Sequence, residues 1–185
     1  MTVTTPQAGP NQRRRRAVAL LIAGVALVTL VIAALWQRAH PHVISASIEM
    51  DASPADLWSV LTDFEAYPEW NPSLLGMRGT PAVGEVLSFR TAEDGFDIKP
   101  TVLAATPGRE LRWEGHLVVV GLFDGEHRFV LEELPSGGTR LTQSESFRGI
   151  LIPFMAAWLD ENTLGEFEAM NASLKERTEK AVTDS

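Results

Sequence analysis

The chain has 185 residues, of which 45% are hydrophobic, and a formal net charge of -8. This length allows one domain of ordinary size beside a membrane segment. Residues 1–40 carry five arginines and no acid, whereas residues 41–185 carry 24 acids and 11 bases. So acidic a domain argues against nucleic acid as a partner. The absence of cysteine excludes disulfides, thiolate catalysis and zinc-thiolate sites.

The amino-terminal region is expected to hold a disordered basic tail, residues 1–16, and a transmembrane helix, residues 17–36. The tail ends in four consecutive arginines, and the apolar segment after it carries no charge. A helix of that length spans about 30 Å, the thickness of the hydrocarbon core. A secretory signal has a shorter apolar stretch and a small-residue cleavage site, of which residues 33–36 give a poor version. An uncleaved anchor is therefore favoured.

The charges around this segment predict its orientation. Four arginines precede it and Arg38 follows it, so the positive-inside rule places the amino terminus in the cytoplasm. The expected location is the cell membrane, with a single pass and an extracytoplasmic domain. Residues 37–42 form the predicted linker, in which His40 and His42 are expected to be solvated.

The soluble domain is predicted to occupy residues 43–182 and to begin with a strand. Residues 43–50 alternate between apolar and polar side chains, the period of a half-buried strand. Residues 53–56 have the form of a helix start, with serine as the cap, proline at the first position and an acid at the third. The two prolines within residues 66–72 are expected to stop any further helix.

From residue 74 onward, alternating segments separated by turn signals predict an antiparallel meander with one apolar face. Asp94-Gly95 is typical of a hairpin turn within it. The clearest predicted strands cover residues 85–91, 96–104, 109–117, 123–131 and 140–148.

A long amphipathic helix is predicted over residues 154–181. Trp158 and Leu164 are expected to extend its apolar face, and Glu166 to point away from it. An isolated helix with so modest a stripe would be marginal in water, so the sheet must cover it. The side chains that recur on this face at steps of three and four are Phe167, Met170, Leu174 and Thr178.

Several motifs resemble those of a known superfamily. Residues 48–58, Leu61-Thr62-Asp63-Phe64 and Tyr67-Pro68-Glu69-Trp70-Asn71-Pro72 look like the opening of the polyketide cyclase/dehydrase-like branch of the SRPBCC, or START-related, superfamily. Residues 121–129 and 167–171 are similar to its later motifs. The resemblance covers about residues 43–181.

The resemblance implies an α+β helix-grip fold. In it, a seven-stranded antiparallel sheet wraps around a long carboxy-terminal helix, and two short helices follow the first strand. Between sheet and helix the family keeps a cavity for an apolar ligand. That cavity serves lipid and sterol carriers, plant hormone receptors, and aromatic cyclases and dehydratases.

Two ionisable side chains are predicted to lie on the otherwise apolar face of adjacent strands. They are His127 and Glu145, which could act as general acid and base in a dry cavity. A structural pair that is merely hydrogen-bonded is the favoured alternative. A bulge near Gly125 would instead turn His127 outward.

No cofactor or metal site is expected. His116 and His127 fall on opposite faces by strand period, and no acidic cluster converges with them. Asp160-Glu161 is interpreted as a solvated helix face. The residues predicted to line the cavity are Trp58, Phe89, Trp113, His127, Phe129, Gln143, Glu145, Phe147, Phe167 and Met170.

Three functions remain open from the sequence. The favoured one is a membrane-anchored domain that binds a lipid or another hydrophobic small molecule. The second is a cyclase or dehydratase that uses His127 and Glu145. The third is an acidic domain that binds a protein partner, whose identity the sequence leaves unknown.

Overall fold

The computed structural model describes residues 10–91 and 95–184. These residues fall into two units, with the boundary between His40 and Pro41. The described part of the first unit forms helix α1 (Pro10–Ala39). Its stretch Asn11–Gln37 is long and apolar enough to cross a membrane. A signal sequence near the amino terminus meets the same criteria of length and composition. Because the helix begins at Pro10, the expectation of disorder is wrong for residues 10–16, and residues 1–9 lie outside the described part.

The second unit opens with strand β1 (His42–Met50) and helix α2 (Pro54–Thr62). The predicted capping box is present: Ser53 Oγ accepts from the Asp56 backbone N–H at 3.2 Å, and the Asp56 carboxylate accepts from the Ser53 N–H at 3.3 Å. These bonds pair amide donors that the first helical turn leaves unsatisfied.

The prolines do not stop helix formation after α2. A 3-10 turn at residues 64–66 leads into a one-turn helix, α3 (Tyr67–Trp70), in agreement with the two short helices that the resemblance implies. The expectation drawn from the prolines is wrong because Pro68 lies in the first turn, where its missing N–H costs no hydrogen bond. Tyr67 Oη is buried and donates to the carbonyl of Leu61 at 2.7 Å.

The strands form two antiparallel sheets instead of the expected seven-stranded one. A five-stranded sheet has the order β1-β8-β7-β6-β5, and a three-stranded sheet has the order β2-β3-β4. An isolated bridge joins Val86 and Thr101 between them. The remaining strands are β2 (Leu75–Arg78), β3 (Ser88–Arg90), β4 (Asp97–Ile98), β5 (Thr101–Thr106), β6 (Glu110–His116), β7 (Asp124–Glu133) and β8 (Thr139–Arg148).

The division falls inside the predicted strand 96–104. Pro100 has no N–H to give a ladder, and the strand breaks there into β4 and β5. A register shift between Val102 and Ala104 then brings Ala105, and not Ala104, against the core. Phe96, which lies just before β4, is exposed as well. The Asp94-Gly95 turn includes a residue outside the described part.

Helix α4 (Ile152–Thr183) packs along β1, and the four predicted core residues of its face are buried. Towards the start of the helix, the buried face continues through Thr163 and then Leu159, because these residues precede Phe167 in steps of four. Trp158 is therefore 56% exposed and Leu164 39% exposed, and their expected place in the core is wrong. Lys175 Nζ ties the other end to the Glu49 carbonyl at 2.8 Å.

Candidate functional site: a cavity between sheet and helix

A cavity of about 410 Å³ lies between the inner face of the sheets and α4. Many of the predicted residues line it, although Trp58 and Phe129 do not. Trp58 is half-buried on α2 against the core, and Phe129 is fully buried 5.5 Å from the Trp113 ring. The predicted residues along the cavity wall are Phe89, Trp113, His127, Gln143, Glu145, Phe147, Phe167 and Met170.

Two opposed glycines form part of the cavity wall. Gly115 in β6 and Gly125 in β7 are direct cross-strand partners, and both line the cavity. A Cβ atom on Gly125 would collide with the Glu145 carboxylate. In the sequence, Gly125 suggests only a possible bulge. The signal that could have indicated the cavity is that Gly115 and Gly125 lie opposite each other when β6 and β7 are paired.

His127 points into the protein interior. The β7–β8 register runs without interruption and pairs His127 with Glu145, so the bulge considered at Gly125 does not form. The imidazole is 7% exposed and stacks on Trp113, with ring centroids 5.0 Å apart and planes inclined by 9°. Phe167 meets it edge-on at 5.1 Å. Aromatic packing therefore fixes the plane of the ring.

Both ring nitrogens of His127 have hydrogen-bond partners. His127 Nε2 lies 3.1 Å from the side-chain amide of Gln143, and His127 Nδ1 lies 3.3 Å from Glu145 Oε2. Which of these atoms donates depends on the tautomer of the ring. Gln143 Oε1 is buried with no hydrogen-bond partner among the described residues. A ligand with a hydrogen-bond donor would satisfy this orphan acceptor.

A second carboxylate, Glu166 on α4, also lines the cavity. Glu166 is nevertheless exposed, as predicted for a residue that lies off the apolar face of the helix. Burial, and then the nearby charge of Glu145, raise the pKa of Glu166 above its ordinary value. No lysine or arginine is found among the described lining residues, and the undescribed residues 92–94 are Ala, Glu and Asp. The described wall therefore has two carboxylates and no lysine or arginine beside them.

The other histidines lie apart from this pair. His116 is exposed at the end of β6 and lines the cavity from there. His42 begins β1, and its Nε2 lies 2.8 Å from Asp160 Oδ1, so neither His42 nor Asp160 is simply solvated as expected. Within residues 10–91 and 95–184, no three His, Asp or Glu side chains converge as a metal site would require.

Residues 41–179 match the profile of the family described as "Polyketide cyclase / dehydrase and lipid transport". The chain belongs to this family. No curated protein matches it in sequence. Membership in the polyketide cyclase/dehydrase family agrees with the α+β grip of sheet and long helix seen here.

Solved structures with a similar fold include a START superfamily protein from Mycobacterium smegmatis, with 22% identity and a TM-score of 0.61 over 76% of this chain and 99% of that one. A hypothetical protein from Helicobacter pylori has 16% identity and a TM-score of 0.64 over 74% and 87%. The di-domain ARO/CYC protein StfQ from the steffimycin biosynthetic pathway has 12% identity and a TM-score of 0.65 over 80% and 54%. At these identities the likeness concerns the fold alone.

Proposed function

We propose that the domain binds an apolar small molecule or lipid in the cavity between sheet and α4. The observation that carries this proposal is the cavity itself, whose volume of about 410 Å³ falls in the range of small-molecule sites. Its wall is largely aromatic and aliphatic, with Phe89, Trp113 and Phe147 among its members. Burial of an apolar guest against such a wall is favourable because it removes both surfaces from water.

The polar groups of the cavity favour a neutral or cationic guest. Glu145, Glu166 and the free Gln143 Oε1 can all accept hydrogen bonds, and the described wall has no basic side chain. An ammonium or hydroxyl group would donate to these acceptors. A carboxylate or phosphate would instead enter a desolvated site already occupied by negative charge, which costs free energy.

The first experiment identifies the guest directly. The full chain is purified, extracted with organic solvent and analysed by mass spectrometry, and we expect a neutral or cationic amphiphile. A chain that is empty and also ignores fatty amines, fatty alcohols, sterols, fatty acids and polyketides in titrations would contradict the proposal.

Charge variants test the polarity of the site. We expect Glu145→Gln and Glu166→Gln to weaken binding of a long-chain amine and to improve binding of the fatty acid of equal length, because each removes a negative charge from the wall. Glu161→Gln is the matched control, since Glu161 is exposed on the same helix and does not line the cavity. Equal affinities in all four proteins would mean that the carboxylates do not select the guest.

A cyclase or dehydratase is the second candidate function. It is favoured by the hydrogen bond between His127 Nδ1 and Glu145 Oε2, which holds an imidazole and a carboxylate together in the wall of an apolar cavity. Such a pair can exchange a proton with a bound ketone. His127→Ala and Glu145→Gln should then stay folded and lose turnover of a polyketide substrate, and retained turnover would exclude this role.

The proposed location rests on α1. We expect it to remain uncleaved, to anchor the chain in the cell membrane by a single pass, and to leave the amino terminus in the cytoplasm, because four arginines precede the apolar stretch. Protease added to intact cells should digest the domain. Complete protection that is lost on lysis would show the opposite orientation.

A further inference from the structure

One end of the domain carries two uncharged segments, residues 117–123 and 149–159, which we call the apolar rim. The first joins β6 to β7, and the second joins β8 to α4 and forms the start of that helix. The two segments are hydrogen-bonded together: Ile150 N–H donates to the Gly121 carbonyl and Leu151 N–H to the Leu122 carbonyl, each at 3.1 Å. The rim is therefore one surface.

The side chains of the rim face outward to an unusual degree. Val118 is 86% exposed, Val120 72% and Phe154 85%, and Trp158, Val119, Ile150 and Leu151 are also exposed. Soluble proteins rarely keep a continuous apolar patch of this kind unless it meets a partner or a membrane. Val118 has a φ of 66°, which is costly for a β-branched residue. Such costly conformations concentrate at functional surfaces.

The rim lies where the chain enters the domain. His42, the first residue of β1, pairs with Phe147, which is two residues before the rim segment 149–159. The side chain of His42 also contacts Asp160, the first residue after that segment. Only His40 and Pro41 separate β1 from the end of α1 in sequence. The connection between α1 and the strand that borders the rim is therefore short.

The rim also contributes to the wall of the cavity. Leu117, Phe123, Met155 and Trp158 belong to the rim and line the cavity as well. An apolar guest that crossed this surface from lipid would not have to enter water. The same residues would thus serve both contact with the bilayer and passage of the guest.

From these observations we infer that the apolar rim inserts into the interfacial region of the bilayer that holds α1, so that the cavity opens towards lipid. Apolar side chains that enter the headgroup and acyl boundary gain the free energy of leaving water. The tether keeps them at that boundary. This step rests on the proposed anchoring of the chain by α1, which favours a bilayer over a protein partner as the surface that the rim meets.

The natural absence of cysteine allows a direct test in the full chain. Val120→Cys and Phe154→Cys are labelled with an environment-sensitive nitrobenzoxadiazole dye, and the proteins are placed in phosphatidylcholine nanodiscs at one chain per disc. Val83→Cys is the matched control, since Val83 is 68% exposed in the loop between β2 and β3, away from the rim and the cavity wall.

We expect a blue shift of the dye emission, and quenching by doxyl-labelled lipid, at positions 120 and 154 and neither effect at position 83. Emission at 120 and 154 that matches position 83 overturns the inference. It is equally overturned if the shift appears only when several chains share a disc, because a second copy would then cover the rim. Guest binding is measured separately by extraction, so failure here does not bear on the proposed function.

Discussion

Glu166 shows how a single carboxylate links the cavity to stability. Burial and Glu145 raise the pKa of Glu166 in the folded chain, so the folded state favours the protonated form. The stability that this group contributes is fully present below the ordinary glutamate pKa of about 4.3 and is lost as the pH rises through the higher folded value. At pH values above the ordinary glutamate pKa, Glu166 therefore opposes folding.

We accordingly expect Glu166→Gln to raise the thermal midpoint at pH 7 and to give no gain near pH 4. The gain should stay below about 1 kcal/mol, because solvent screens a partly exposed carboxylate. Melting curves across this pH range measure the effect, with Glu161→Gln as the control. A gain that persists unchanged at pH 4 would show that the charge of Glu166 is not its cause.

At the scale of elements, the rotation of α4 against the sheet decides which of its leucines contribute to the stability of the fold. Leu174 is fully buried in the main core, whereas Leu164 is 39% exposed. Leu174→Ala should cost about 2–5 kcal/mol of unfolding free energy, the range for a buried leucine that leaves a cavity. Leu164→Ala should stay within about 0.5 kcal/mol, as surface changes do.

Chemical denaturation of both variants measures this difference. Equal losses would mean that α4 is rotated from the orientation described here, with the face that the sequence first predicted turned inward. If Leu174→Ala lost less unfolding free energy than this range, neighbouring core side chains would have moved into the cavity that the substitution leaves.

The strands with strict alternation could be predicted from sequence, and those that break it could not. In β6, β7 and β8 the inner residues Leu111, Phe129 and Leu141 are buried as the period requires, because an uninterrupted register keeps alternate side chains on one face. Pro100 and the shift after Val102 interrupt that period, and the alternation rule cannot assign the later residues of β5 to a face.

The candidate site could be predicted only in part, for a related reason. His127 and Glu145 could be placed on a shared inner face because both lie on regular strands of the same sheet. Glu166 comes from α4, and its approach to Glu145 depends on how helix and sheet pack, which no local period records. Trp158 is exposed and also lines the cavity. Periodicity assigns a side chain either to the core or to the surface, so it could not predict this position.

At the scale of the whole molecule, the chain consists of two compact units, and the boundary between them follows His40. We therefore expect a fragment of residues 41–185 to fold and to unfold cooperatively, with a thermal midpoint close to that of the full chain in nanodiscs. Circular dichroism during heating measures both. A fragment without a cooperative transition would show that the domain needs its amino-terminal helix for stability.

A substitution at either of the opposed glycines of β6 and β7 would change the wall of the cavity. A side chain at Gly115 would press against Ile98 and Pro100 in the cavity wall, and one at Gly125 would displace Glu145 and so alter the polarity of the wall. Relatives that differ only at this pair would then bind guests of different shape or charge within the same fold. Selectivity in such a protein can drift without any redesign of its fold.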